Sequence, residues 1–336
     1  MKRRRPISAR LRKRLRSTAI FALLFFSFIA LTPHVQAQTW PERNVKVVVP
    51  FPAGGPADVM GRVIARHLGE KLGQSFIVEN AAGANGNVGA ASVANAAPDG
   101  YTLLFTTTGP LVFNKIIYKA TTKFDPATDF TPIVEVSKIP LIVAANPGIP
   151  AKTFEDLVAY AKANPGKVTF GSSGVGSMGH LTAELFQQKL GFKITHVPYR
   201  GSAPAMNDLI GGQINLTVDL AATYADQVKA GTLRALATTF LKRWPLLPDT
   251  PVLAELGLPG FEATGWTAVV GPAKLPAEIV NKVNKTVNDY IASDEGKQAL
   301  AKLGMVPAGG TPEALGKYMA SELEKWRPVA EKVSPE

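Results

Sequence analysis

The chain has no cysteine and only four histidines among its 336 residues. Without cysteine there is no disulfide framework, no thiolate nucleophile and no cysteine-based metal site. The histidines beyond residue 37 are His67, His180 and His196, and no HExxH pair occurs. A zinc-hydrolase motif is therefore excluded. Long apolar runs are missing too. The stretch from Ala19 to Leu31 has 13 residues, short of the ~20 that a bilayer demands. Acidic residues are absent before position 38, where nine cations sit between Lys2 and Arg16. Removing those nine takes the net charge from +11 to +2. No basic surplus remains to argue for nucleic acid or an anionic membrane.

The basic run, the apolar run and Val35-Gln36-Ala37 form the three parts of a secretory leader. Residues 1–37 are expected to be a signal peptide cleaved after Ala37, with Gln38 first in the mature chain. Arg3-Arg4-Arg5 raises a twin-arginine route, but the flanking residues of that motif are missing. No cysteine follows for lipid anchoring. The chain is nearly half apolar and 19% charged, a globular rather than a disordered composition. Some 300 mature residues suffice for two lobes at about 100–200 residues each.

The stretch VKVVVPFPAGGPAD, residues 45–58, organises the rest. Its first five residues read as a buried strand. Pro50 and Pro52 stop the strand, and Gly54 and Gly55 let backbone approach a ligand. Pro56 fits a first helical turn and Asp58 complements its dipole. Apolar residues at Val59, Val63, Ile64, Leu68 and Leu72 then mark a helix face. Strand, glycine loop and helix start together present free N–H groups, an anion site. The loop has neither the Lys-Ser/Thr of a P-loop nor GxGxxG spacing, and it holds no Lys or Arg. A carboxylate suits it better than a pyrophosphate.

A second unit of this kind is VTFGSSGVGSMGH, residues 168–180. Lys71-Leu72-Gly73 closes the first helix and Lys189-Leu190-Gly191 the second. Repeated βα units predict an α/β fold whose two loops face one another across a cleft. Residues 132–147 read as two extended pieces crossing into a second lobe, and GWTAVVG, residues 265–271, as a strand returning. Two amphipathic helices, built on Ile279–Ile291 and Leu315–Trp326, finish the chain. The expected lobes are 40–140 plus 262–336 and 141–261.

PFPAGGPAD resembles the first-lobe motif of the periplasmic receptors of tripartite tricarboxylate transporters, the Bordetella-uptake-gene type. PDGYTLL (98–104), FGSSGVGSMGH (170–180), VPYRGSAPAMNDLIGGQIN (197–215), GTLRALATT (231–239) and LPDTPVLAELGLPGFEATGW (247–266) carry the resemblance through the mature chain. It implies a two-lobed α/β binding protein of the Venus flytrap kind, type II-like. Each lobe would have a mainly parallel sheet, with a hinge of two segments. It also implies a monomer that passes a carboxylate to membrane permease subunits and needs no cofactor. Phe51, Ala53 and Gly54 of the first loop would touch the ligand, with Ser172, Ser173, Gly174 and Ser177 of the second. Ala57, Ala81 and Ala82 depart from the family pattern. They leave loop backbone intact but alter inherited side-chain contacts.

Other candidates come from position. Gly55 extends the first loop, and Thr107 lies in a run of three hydroxyls ending a strand. Tyr199 and Arg200 follow another strand, where Arg200 suits a second ligand carboxylate or an exposed loop equally. Asp219 ends a strand on the same edge, to take an amine or hydroxyl or to cap the next helix. Asp58 fits orienting its loop better than touching an anion. His180 lies four residues before Glu184, the spacing of an exposed helical pair, with a ligand contact and a catalytic base as its other readings. GSSGVGS is not GxSxG, and no nucleophile–base pair emerges. Three functions remain open: a transport receptor, a ligand-sensing adaptor for a membrane kinase, and a periplasmic enzyme.

Overall fold

A computed structural model describes residues 40–333; the expected leader and its cleavage site lie outside the described residues. The described residues from Arg43 onward form one compact unit. No helix among the described residues is long and apolar enough to cross a membrane.

β1 (Val45–Val49) leads into α1 (Pro56–Leu72) and β2 (Phe76–Asn80). α2 (Asn87–Ala94), β3 (Thr102–Thr107) and two short helices, α3 (Thr108–Leu111) and α4 (Asn114–Ile117), follow. β4 (Phe130–Ala145) then runs for 16 residues. The next part contains α5 (Phe154–Ala163), β5 (Thr169–Ser172), α6 (Met178–Leu190), β6 (Thr195–Pro198) and α7 (Ser202–Ile210). It continues with β7 (Leu216–Leu220), α8 (Ala221–Lys229) and β8 (Arg234–Thr238). β9 (Thr264–Pro272), α9 (Ala277–Ala292), α10 (Asp294–Lys302), β10 (Val306–Pro307) and α11 (Pro312–Ala330) complete the chain.

The strands join in the order β2-β1-β3-β9-β4-β7-β5-β6, with β8 and β10 also paired to β4. Pairing is parallel among β1, β2 and β3 and among β5, β6 and β7. Every pair made by β4 or β9 is antiparallel. The parallel character expected of each lobe thus holds for the two flanks, while the strands running between them are antiparallel. The result is an α/β fold with two parallel flanks joined by antiparallel strands.

The two extended pieces expected at 132–147 are one strand. Pro140 argues for a break because it has no N–H. The strand continues because partners change there: Pro140 is the last residue opposite β9, and Leu141 the first opposite β7. Thr239 stitches this point to the returning segment. Its hydroxyl accepts from Leu141 N at 2.8 Å and donates to the carbonyl of Ala263.

The repeated Lys-Leu-Gly has a structural meaning. Gly73 and Gly191 take φ of 76° and 64° and donate to the carbonyls of Gly69 and Gln187. Left-handed caps of this kind favour glycine because a Cβ is strained there. The buried face of α1 is centred on Met60, Ile64 and Leu68, and Val59 is 38% exposed, so the expected stripe is rotated by about one residue. Between the two expected C-terminal helices lies α10, whose start Ser293 caps through Gly296 N at 3.1 Å. Ser293-Asp294-Glu295 is a legible N-terminal signal that the periodicity reading missed.

Candidate functional site

The C-terminal ends of β1, β3, β5 and β7 border a cavity of about 450 Å³. The first glycine loop contributes Phe51, Pro52, Gly55, Pro56 and Ala57 to its wall, and the second contributes Ser173, Gly176, Ser177 and Met178. Thr107, Thr108 and Asp219 line it as well. Beside it the Tyr118 hydroxyl donates to the Val175 carbonyl at 2.9 Å, joining the two halves of the sheet.

Of the expected site residues, Phe51, Gly55, Thr107, Ser173, Ser177 and Asp219 meet at this cavity. Ala53 and Gly54 are on the exposed side of the first loop. Asp58 is 2% exposed and works from behind. Its carboxylate accepts from Gly54 N at 2.8 Å, Arg62 Nε at 3.0 Å and Asn80 Nδ2 at 2.8 Å. The Asn80 amide also donates to Phe51 O at 3.0 Å. Burial alone would favour protonation, but the bonds from Arg62, Gly54 and Asn80 and the guanidinium charge hold the carboxyl at about 2.

A carboxyl with its folded pKa below the unfolded value stabilises the fold above that unfolded value. The contribution disappears as pH falls from 3.8 toward about 2. Asp58→Asn is expected to lose about 2.5 kcal/mol at pH 7, the equivalent of the shift. Urea midpoints at pH 7 and pH 2.5 test this: the deficit should shrink at the lower pH, and a constant deficit counts against the ionised cluster.

The second loop is also braced from behind. Ser172 is fully buried, and its hydroxyl bonds His196 Nε2 at 2.8 Å and donates to Gly174 O at 3.0 Å. His180 Nδ1 accepts from Gly176 N at 3.1 Å. The two imidazoles stack at 3.8 Å with 17° between planes. Burial lowers His180 to about 4. Burial and then the neighbouring His180 lower His196 to about 3. His180 is 8% exposed, so the exposed pair with Glu184 is not formed. Its stacking partner His196 is on β6, which helical spacing does not reveal. Both rings border a separate hollow with Glu184 and Lys332. Gly174, bonded to Ser172, is off the cavity wall as well.

Tyr199 and Arg200 do not line the cavity either. The Tyr199 hydroxyl donates to Asp208 at 2.7 Å, and Arg200 is exposed. Residues the sequence reading did not single out include Asn85, Phe113, Ile139, Leu220, Trp266 and Met305. Asn85 sits in AAGANGNVG (81–89), whose glycines and asparagines are a loop signal, and Trp266 lies within an expected strand; Met305 carries no local signal.

No Lys, Arg or His lines the cavity, and Asp219 is its one charged residue among the described residues. Residues of the first turns of α1 and α6 stand at its wall. Helix starts of this length attract an anion through unpaired N–H groups and the peptide dipoles. Ser173, Ser177 and Thr107 add hydroxyls, but no imidazole stands on the wall to activate them. Among the described residues no group of three or more His, Cys, Asp or Glu is placed to hold a metal.

Residues 60–334 match the family described as tripartite tricarboxylate transporter family receptor. Protein BugT of Bordetella pertussis (strain Tohama I) is 35% identical over 306 residues, covering 91% of this chain and 94% of its own. A solved structure of R. palustris Rpa4515 with adipate is 39% identical, with a TM-score of 0.77 over 88% of this chain and 100% of that one. MatC (Rpa3494) of Rhodopseudomonas palustris, with bound malate, is 30% identical and has a TM-score of 0.73 over 87% and 100%. The two glycine loops are thus found at a cavity in a fold shared with solute receptors, and the chain belongs to the tripartite tricarboxylate transporter receptor family.

Proposed function

We propose that this chain is a periplasmic receptor that captures a small carboxylate and delivers it, chemically unchanged, to membrane subunits of a tripartite tricarboxylate-type transporter. The observation that carries the reading is the convergence of two loop-and-helix starts on one cavity without a basic side chain. Such a site holds a carboxylate through backbone N–H groups and helix dipoles rather than an ion pair. Adipate and malate in related structures support the ligand class. In this reading Phe51, Gly55, Ser173 and Ser177 contact the ligand, and Asp58, His180 and His196 keep the loops in shape. The lobes are 40–140 plus 262–336 and 141–261, the protein is a monomer, and the chain is exported and cut after Ala37.

Thermal-shift screening of mono- and dicarboxylates on protein from the periplasmic fraction tests the reading. At one hundred times Kd a true ligand stabilises the fold by about 2.7 kcal/mol. NMR should recover that ligand unaltered, and intact mass should start the chain at Gln38. A recovered turnover product would replace the receptor with an enzyme; the absence of any stabilising carboxylate would remove the reading altogether.

A further inference from the structure

Asp219 is the last but one residue of β7, 2% exposed and yet on the cavity wall. Leu220 N donates to its Oδ1 at 2.8 Å. The Ser173 hydroxyl reaches the same oxygen only at 3.4 Å, and the Tyr224 hydroxyl reaches Oδ2 at 3.5 Å. A further bond comes from the Ser202 side chain. Contacts at 3.4–3.5 Å are weak. Burial pushes this carboxyl's pKa up, against the hydrogen bonds that lower it. The site therefore holds a buried acid bonded only by neutral groups, with no basic residue on the wall to neutralise it.

The charges decide what can enter. Asp58 in the first turn of α1 is balanced by Arg62, so the two helix starts, each equivalent to about half a positive charge, offset one ligand carboxylate and leave Asp219 uncompensated. A second ligand carboxylate would place like charge beside a buried acid; an ammonium group would pair with it. Ser173 sets the spacing. It lines the cavity with the start of α6 and also touches Asp219. A group bonded to Asp219 thus stands close to a carboxylate held by the second loop. Phe51, Phe113, Met178, Leu220, Trp266 and Met305 make the remaining wall largely apolar.

Resting on the receptor reading, we propose that the ligand is a 2-amino carboxylate with an apolar side chain. Its carboxylate is held by the two helix starts and its ammonium group by Asp219. The pairing leaves Asp219 ionised, and a simple dicarboxylate is disfavoured.

Calorimetry and thermal shift with three matched sets test the assignment. The first is alanine, valine, leucine and phenylalanine. The second is the same skeletons without the amine: propionate, isovalerate, 4-methylpentanoate and 3-phenylpropionate. The third is the straight dicarboxylates from succinate to adipate. At least one amino acid should bind ten or more times tighter than its partner lacking the amine, and tighter than every dicarboxylate. In Asp219→Asn that gap should close. The wild-type comparison stands whether or not the variant folds. Preferential binding of the second or third set leaves the carboxylate receptor standing and overturns the amine assignment, as does a gap that survives in folded Asp219→Asn. If no compound of the three sets binds the wild type, the amine assignment falls, and the receptor reading falls with it only when the wider carboxylate screen is empty as well.

Discussion

Gly179→Ala is expected to destabilise the protein by about 3 kcal/mol or more and to abolish ligand binding in whatever remains folded. A Cβ built on Gly179 would lie 1.9 Å from the carbonyl oxygen of Val218 and 2.9 Å from its carbonyl carbon. The obstacle is backbone of β7, which is fixed between β4 and β5, so no side chain can rotate away. The start of α6 must retreat by roughly an ångström, and overpacking of a tight core costs about 1–3 kcal/mol, more when backbone is displaced. Retreat also carries Ser177 and Met178 off the cavity wall and draws Ser173 from Asp219. Gly174→Ala is the comparison. It meets only Tyr199 O at 3.3 Å, although its φ of +139° adds strain, and it should retain more stability than Gly179→Ala. Urea denaturation of both variants tests the order. A wild-type midpoint for Gly179→Ala would mean that α6 does not rest against β7.

The stacked histidines should make the second loop acid-sensitive. His180 is lowered from 6.5 to about 4 and His196 to about 3. Between those values and 6.5 the unfolded chain binds more protons than the folded one, so stability falls as pH falls. The contribution is fully present above 6.5 and fades on the way to pH 4. One imidazole with this shift corresponds to about 3 kcal/mol. Protonating His180 Nδ1 also removes the acceptor of Gly176 N–H, so affinity should weaken over the same range. Glu184 and Lys332 border the pair from α6 and the chain end, with Lys332 Nζ 3.5 Å from Gln188 Oε1. Glu135 works in the opposite sense. Burial raises it to about 7, and its contribution is lost as pH rises. The informative quantity is therefore the difference between wild type and His180→Asn/His196→Asn, in which Glu135 cancels. Chemical denaturation at pH 7 and pH 4.5 should show a steeper loss in the wild type; parallel losses would exclude the pair as the source.

The sequence disclosed the loops more readily than the chemistry behind them. Glycine loop, Pro56 and Asp58 are local signals, and local backbone geometry made both helix starts legible. The brace of the second loop was not, because His196 reaches Ser172 across parallel strands, 24 residues away in sequence. Arg200 kept two readings for a related reason. Its place after a strand suited a ligand carboxylate or an exposed loop equally; Tyr199 is tied to Asp208, and Arg200 is exposed and off the cavity wall. Asp219 was visible as a strand-end acid, while its lack of a cationic neighbour needed the whole wall. The break expected within 132–147 failed because Pro140 costs nothing in pairing where the strand changes partners.

The position of β9 between β3 and β4 also bears on the order of synthesis. β3 is finished at Thr107, but its neighbour begins at Thr264, about 160 residues later. At ~5–20 residues per second this leaves an open strand edge for roughly ten to thirty seconds, and open edges invite pairing with other chains. By contrast, β5, β6 and β7 find one another within 50 residues (169 to 216). The first-made flank of the sheet is the last to close.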